Sequence, residues 1–194
     1  MSEFARDAHR ACEKLLDARV KRTVPSGGQR RKSIRAFLED RSVIITRRKH
    51  RARAELEVEV LRELHARGAS VPRVLAFDGT WMVQEDLGER RLSQALAGAA
   101  EAESEKWLTA ALDSLARIHQ AGRAAGLEER APRIGTKPEW LLKLVETPGR
   151  LGAYLSLPAP NLPVPELLYR LGNRRPQFIK WDARPGNAAT LKDG

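Results

Sequence analysis

Phe178-Ile179-Lys180-Trp181-Asp182-Ala183-Arg184-Pro185-Gly186-Asn187-Ala188-Ala189-Thr190 is the stretch on which the reading of this chain turns. Two apolar residues lead, as at the end of a buried strand. A lone carboxylate follows, then a tight Pro-Gly turn, an Asn, and a short run with strand character. An Asp and an Asn held by one loop as D-x-x-x-x-N can act together. Asp182 can orient and deprotonate a hydroxyl nucleophile, and Asn187 can hold a magnesium ion that carries nucleotide phosphates. Such a magnesium site takes most of its oxygens from water and phosphate, so a short motif is enough. The competing reading is plain turn chemistry, an Asp ahead of Pro-Gly. Other segments of the chain favour the catalytic one.

The length of 194 residues allows one full domain or two small lobes with a core. A hydrophobic content of 42% beside 31% charge marks a globular chain rather than a disordered one. No apolar run is long enough to cross a bilayer, and Met1–Asp7 lacks a basic-then-apolar signal pattern. No membrane association is therefore expected. One cysteine, Cys12, leaves no internal disulfide framework and fits a reducing cytoplasm. The net charge of +10 calls for a partner, and its basic residues concentrate between Lys21 and Arg53. Nucleic acid is one answer. Aromatics make up only 5%, however, and Phe37 alone interleaves with that cluster, which offers little for stacking on bases. A positive cleft for a nucleotide or another phosphorylated ligand explains the charge equally well.

Taken in order, Phe4 to about Val20 carries apolar residues at helical spacing. Thr23 to Gln29 reads as a Gly-Gly turn, followed by an alternating strand from Lys32 to Leu38 and a β-branched one from Ser42 to Thr46. A glycine pair between strands lets backbone N–H groups approach a phosphate, although a simple hairpin turn reads the same way. Arg51 to Ala66 is a clear helix with Leu56, Val60, Leu61 and Leu64 as its expected apolar stripe. Glu57 lies at the margin of that stripe, placed to pair with a basic residue on the preceding strand or, alternatively, with Arg53 on its own helix. Asp78-Gly79 predicts a hairpin between Arg73–Phe77 and Thr80–Glu85. After Asp86-Leu87-Gly88 the pattern becomes helical: Leu92–Ala99, a long helix over Glu103–Ala121, and short helices over Glu139–Val145 and Glu166–Leu171. His119 ends the stripe of the long helix and reads as a core histidine.

These pieces together resemble the aminoglycoside phosphotransferase family, the small-molecule branch of the protein-kinase-like fold that includes choline and homoserine kinases. Ser26-Gly27-Gly28 resembles its phosphate-covering loop. Glu57 to Leu64 with Gly68 and Val71 to Leu75 is similar to its Glu-bearing helix and the Val-Pro lead into the next strand. Val83 to Gly88 is similar to the hinge whose backbone receives adenine, Leu115 to His119 to the end of its long helix, and Asp182 to Asn187 to its Asp-Leu-His-Pro-Gly-Asn loop. The resemblance implies an α+β, protein-kinase-like two-lobe fold. Residues 1–87 would form a small antiparallel-sheet lobe with one key helix, and 88–194 a partial, mainly helical lobe.

It implies further an ATP- and Mg2+-dependent small-molecule phosphotransferase. Asp182 would be the base, Arg184 a cation for the transferring group, and Asn187 the metal ligand. Ser26, Gly27, Gly28, Arg47, Glu57, Glu85 and Leu87 would hold the nucleotide. The partners are then a nucleotide and a small hydroxylated acceptor, open between aminoglycoside, choline, homoserine, sugar and an acyl-carrier substrate. Three departures stand out. Lys180-Trp181 replaces the family's His-Gly before the Asp. Thr46 or Arg47 stands where the third strand usually presents a lysine. The second magnesium-binding Asp of the family has no counterpart in the chain, so the expectation is a C-terminally shortened enzyme with little or no transfer activity. A non-catalytic, pseudokinase-like binding module is the alternative, and a basic nucleic-acid-binding domain a third.

Overall fold

The computed structural model describes residues 2–26, 32–131, 138–158, 161–172, 177–179, 183 and 185–190. Helix α1 (Glu3–Leu16) starts where the Ser2 hydroxyl accepts the Ala5 N–H at 3.2 Å. It stops at Asp17, whose φ of 47° leaves the helical region. Five strands follow: β1 (Arg22–Pro25), β2 (Ser33–Phe37), β3 (Ser42–Arg47), β4 (Val74–Phe77) and β5 (Trp81–Glu85). They form one sheet, every neighbour antiparallel, in the order β1-β2-β3-β5-β4. Helix α2 (Arg51–Ala66) crosses from β3 to β4. After β5 come α3 (Leu92–Leu96), α4 (Glu101–Ala124), α5 (Leu127–Arg130), α6 (Pro138–Tyr154) and α7 (Val164–Gly172), then a 3₁₀ turn at Pro185–Asn187. The architecture is the expected α+β one, a small antiparallel sheet followed by helices. Among the described residues no helix is long and apolar enough to cross a membrane.

Strand alternation gives the sheet two different faces. Ile34 and Ala36 on β2, Val43 and Ile45 on β3, and Val83 on β5 are buried together with Ala8 and Cys12 of α1. The register puts Ile34 opposite Ile45 and Ile45 opposite Val83, so these side chains share one face and α1 covers it. Phe4 closes the end of this layer by stacking on Trp81, ring centroids 5.6 Å apart. The intervening residues, Ser33, Arg35, Ile44, Thr46 and Gln84, point to the other face, where the cavity lies.

Several expectations needed correction. Arg22–Pro25 is an edge strand, where the sequence read only a turn; Pro25 is tolerated there because an edge strand needs no N–H on its outer side. The buried stripe of α2 is Ala54, Val58 and Leu64, while Leu56 and Val60 are only half-buried. The β4–β5 hairpin forms as expected. Asp78 Oδ1 accepts the N–H groups of Thr80 (2.8 Å) and Trp81 (2.7 Å), and Gly79 takes a φ of 94° that a side chain would oppose. On α4 the buried residues are Ile118, Ala121 and Gly122, while Leu112 near its middle is 66% exposed. Helix α6 runs on through Pro148, well past the expected end at Val145.

The chain groups into two compact units, Met1–Leu127 with Ile179–Gly194, and Glu128–Phe178. The sheet, α1 to α4 and the turn at Pro185–Asn187 belong to the first. In the second, α6 packs on α7, with Val145 and Gly152 turned inward.

Candidate nucleotide site on the open face of the sheet

The face of the sheet opposite α1 bounds a cavity of about 640 Å³. Its wall is built from Ser26 after β1, the outward residues of β2 and β3, the Arg47–Lys49 segment, Pro72, the Gln84–Gly88 linker and Arg91. Six cations and two carboxylates line it, so its field favours an anion.

Thr46 is the β3 side chain that faces the cavity at the position of interest. It is buried, and its hydroxyl shares a 2.9 Å hydrogen bond with that of Ser33. Arg47, one residue on, is paired in register with Trp81 and lays its guanidinium over that ring on the α1 side, 5.6 Å from the centroid. It is also one of the residues that line the cavity. Arg48 restores the parity of Thr46 just beyond the strand, where its N–H donates to Thr80 O at 2.8 Å. Its guanidinium pairs with Glu57 of α2. Glu57 of the Glu-bearing helix thus pairs with Arg48, one residue past the end of the third strand, and neither Arg47 on that strand nor Arg53 is its partner. Arg48 Nε is buried with no acceptor among the described residues. The sequence signal for Arg48 was the two-residue period: it lies two positions after Thr46.

The linker is fixed from β2. Arg35 donates from Nη2 to Asp86 Oδ1 at 3.0 Å and pairs through Nη1 with Glu89. Its Nε also lies against Asp86 Oδ2, with the N–H not aligned on that oxygen. Ser42 Oγ donates to Asp86 Oδ2 at 2.7 Å, and the Gly88 N–H donates to Oδ1 at 3.0 Å. Burial alone would raise the Asp86 pKa. The hydrogen bonds from Arg35, Ser42 and Gly88 and the charge of Arg35 outweigh it and hold the carboxyl below its ordinary value. Burial alone would lower the Arg35 pKa, and Asp86 and then Glu89 reverse that. The clamp was not visible in the sequence, because Arg35 and Asp86 are far apart in the chain. Gly88, with a φ of 84°, lets the linker turn immediately after it.

Of the other expected site residues, Ser26, Glu85 and Leu87 line the same cavity. The Glu85 carboxylate accepts the Arg73 N–H at 3.2 Å, so its side chain serves the β4 side. Asn187 sits in the 3₁₀ turn beside α3: Leu92 donates to Ala188 O and Thr190 to Arg90 O, both at 3.0 Å, and Arg91 bridges Ala189. The expected strand after Asn187 is thus a single bridge to the residue that also lines the cavity. Gly27, Gly28, Lys180, Trp181, Asp182 and Arg184 lie outside the described residues. Among the described residues no cluster of three His, Cys, Asp or Glu side chains could hold a metal by itself.

A search of curated proteins found no match. The model of the phosphotransferase enzyme family, APH, matches residues 21–192, which takes in the whole sheet, α2, the linker and the Asp182–Asn187 loop. By that match this chain belongs to the APH phosphotransferase enzyme family.

Proposed function

We propose that the chain binds Mg-ATP in the cavity on the open face of the sheet and is built as a phosphotransferase that would pass the γ-phosphoryl group to a hydroxyl of a small acceptor, with little or no transfer by this chain itself. The observation that carries this reading is Arg48 on the cavity wall: it pairs with Glu57 of α2, and its buried Nε has no acceptor among the described residues. A phosphate oxygen is the acceptor that such a group fits, since Arg matches phosphate geometry and a buried unpaired donor is costly. Ser26, Gly27 and Gly28 would cover the phosphates, and the linker backbone at Glu85 and Leu87 would receive the base. Asp182 would take the acceptor's hydroxyl proton as the new O–P bond forms and the bond to the β-phosphate oxygen breaks, with Arg184 beside the transferring group. Magnesium would neutralise phosphate charge, held by Asn187 together with water and phosphate oxygens. Catalysis of this kind is mostly positioning and charge neutralisation.

A non-catalytic nucleotide-binding module is the second reading. It is favoured by the neutral, buried Thr46 at the strand position that faces the phosphate side.

Thermal unfolding with and without Mg-ATP tests the binding step. Nucleotide at a hundredfold excess over its dissociation constant stabilises a fold by about 2.7 kcal/mol, a shift of about 5–11 °C for this size. The expected result is a magnesium-dependent shift that shrinks in Asp182→Asn/Asn187→Ala. No shift at millimolar ATP would remove the proposal. Phosphate transfer to any hydroxyl acceptor, lost in Asp182→Asn, would decide between enzyme and module.

A further inference from the structure

We propose that Gln84 reads the N6/N7 edge of the nucleotide base and so selects adenine over guanine. This rests on the nucleotide reading of the cavity and adds to it the residue that sets base preference.

The register places Arg35, Ile44 and Gln84 side by side across β2, β3 and β5, all facing the cavity. They differ in what remains available. The Arg35 guanidinium is held by Asp86 and Glu89. Ile44 offers an apolar surface against which a flat base can lie. Gln84 is half-buried, and its carboxamide has no hydrogen-bond partner among the described residues. A carboxamide presents an acceptor and a donor side by side. The Leu87 N–H, three residues on in the linker that Asp86 clamps, likewise has no acceptor among the described residues. Strand end and linker thus bring two unmet polar groups to the wall of the cavity beside apolar Ile44, Pro72 and Leu87. That is the composition of a site for a planar, polar-edged ring.

Adenine fits this carboxamide and guanine does not. Adenine carries the N6 amino donor next to the N7 acceptor, so the Gln oxygen can accept from N6 while its NH2 donates to N7. Guanine presents two acceptors, O6 and N7, and the Gln oxygen then faces an acceptor. A matched bidentate contact of this kind discriminates by about 5- to 150-fold.

The test is equilibrium binding of Mg-ATP, Mg-GTP and Mg-7-deaza-ATP, which lacks N7, to the whole chain and to Gln84→Leu and Gln84→Glu. Magnesium tripolyphosphate serves as the base-free control. The wild-type chain is expected to bind ATP severalfold or more tightly than both 7-deaza-ATP and GTP. Gln84→Leu should bind ATP and 7-deaza-ATP alike and hold tripolyphosphate as the wild type does. Gln84→Glu keeps an acceptor for N6 but sets an acceptor against N7, so it should lose the preference for ATP over 7-deaza-ATP or reverse it. Equal wild-type affinity for ATP and 7-deaza-ATP, or a difference that survives in both variants, overturns the role of Gln84 while leaving nucleotide binding intact. Failure of the wild type to bind either nucleotide overturns both readings. The wild-type comparison needs no variant to fold.

Discussion

Asp86 carries more of the first unit's polar architecture than any other described side chain, and its protonation should be visible in stability. Its folded pKa is depressed, so its stabilisation is fully present above the unfolded value of about 3.9. That stabilisation is lost as pH falls through the folded value. Asp86→Asn removes the charge opposite Arg35 and leaves the guanidinium with Glu89, which is 81% exposed and a weak substitute. Breaking one partner of a buried pair costs about 3–5 kcal/mol. Urea unfolding between about pH 3 and 7 should therefore show the variant less stable at neutral pH and with a shallower acid decline. An unchanged acid slope would mean that Asp86 is not the group responsible. Cys12 makes the opposite case. Burial first, and then the charge of Glu13, push its thiol up to about 11. It is fully enclosed between α1 and the sheet, so at neutral pH it is a protonated packing group. A thiol reagent should label it in the native protein orders of magnitude more slowly than in urea. Prompt labelling without denaturant would show that α1 opens easily.

At the level of elements, what the sequence revealed was what local chemistry dictates. Helix α2 and the β4–β5 hairpin were legible because a sustained helical period and an Asp-Gly turn leave few alternatives. Strand β1 was hidden by Pro25 and the glycines after it, since turn residues outweigh four residues of edge strand. The stripe of α2 was misplaced because alanine contributes little to a hydrophobic pattern, yet Ala54 is the residue small enough to lie buried in the helix's first turn. Long-range pairs such as Arg35 with Asp86 left no local trace at all. The Glu57 pairing shows both sides: its direction toward the third strand was readable, but the cation was found only once the strand's faces were fixed. The Arg48–Glu57 pair is about a third exposed at both ends, so it adds only about 0.2–1 kcal/mol to stability after solvent screening. Glu57→Gln should consequently unfold almost as the wild type does, while the Mg-ATP-dependent rise in melting temperature shrinks severalfold. A loss of several kcal/mol in the nucleotide-free protein would make the pair a structural brace instead.

Over the whole molecule, burial is distributed unevenly, and stability should follow it. In the first unit, α1 and strands β2, β3 and β5 share a continuous core in which Cys12, Val43, Ile45 and Val83 are fully enclosed. In the second, the described residues offer little of that kind. Val145 is the buried large side chain of α6, and α7 has no buried residue. Trp140, Leu144, Leu151 and Leu155 follow one another along one side of α6 and its end, each at least half exposed, and Tyr154 beside them is 85% exposed. Each such side chain forgoes about half or more of the roughly 1.5–3 kcal/mol that full burial provides, while its backbone still bears the entropy of being ordered. Pro148 adds to the deficit by removing an N–H from the middle of α6, although the Thr147 hydroxyl, bonded to Lys143 O at 2.7 Å, satisfies a carbonyl nearby. Opening free energies within one protein range from near zero to the global value according to such local burial. Native-state hydrogen exchange should therefore find the amides of α6 and α7 exchanging through low-energy openings, insensitive to small additions of denaturant. Those of β2, β3 and β5 should exchange only with global unfolding. Truncating Leu151 to Ala should move the melting temperature little, because an exposed side chain contributes within about 0.5 kcal/mol, whereas Ile45→Ala should cost about 2–5 kcal/mol. If α6 amides proved as protected as those of β3, its apolar side would have to be covered in solution, and the exchange pattern on that side would identify the covering surface.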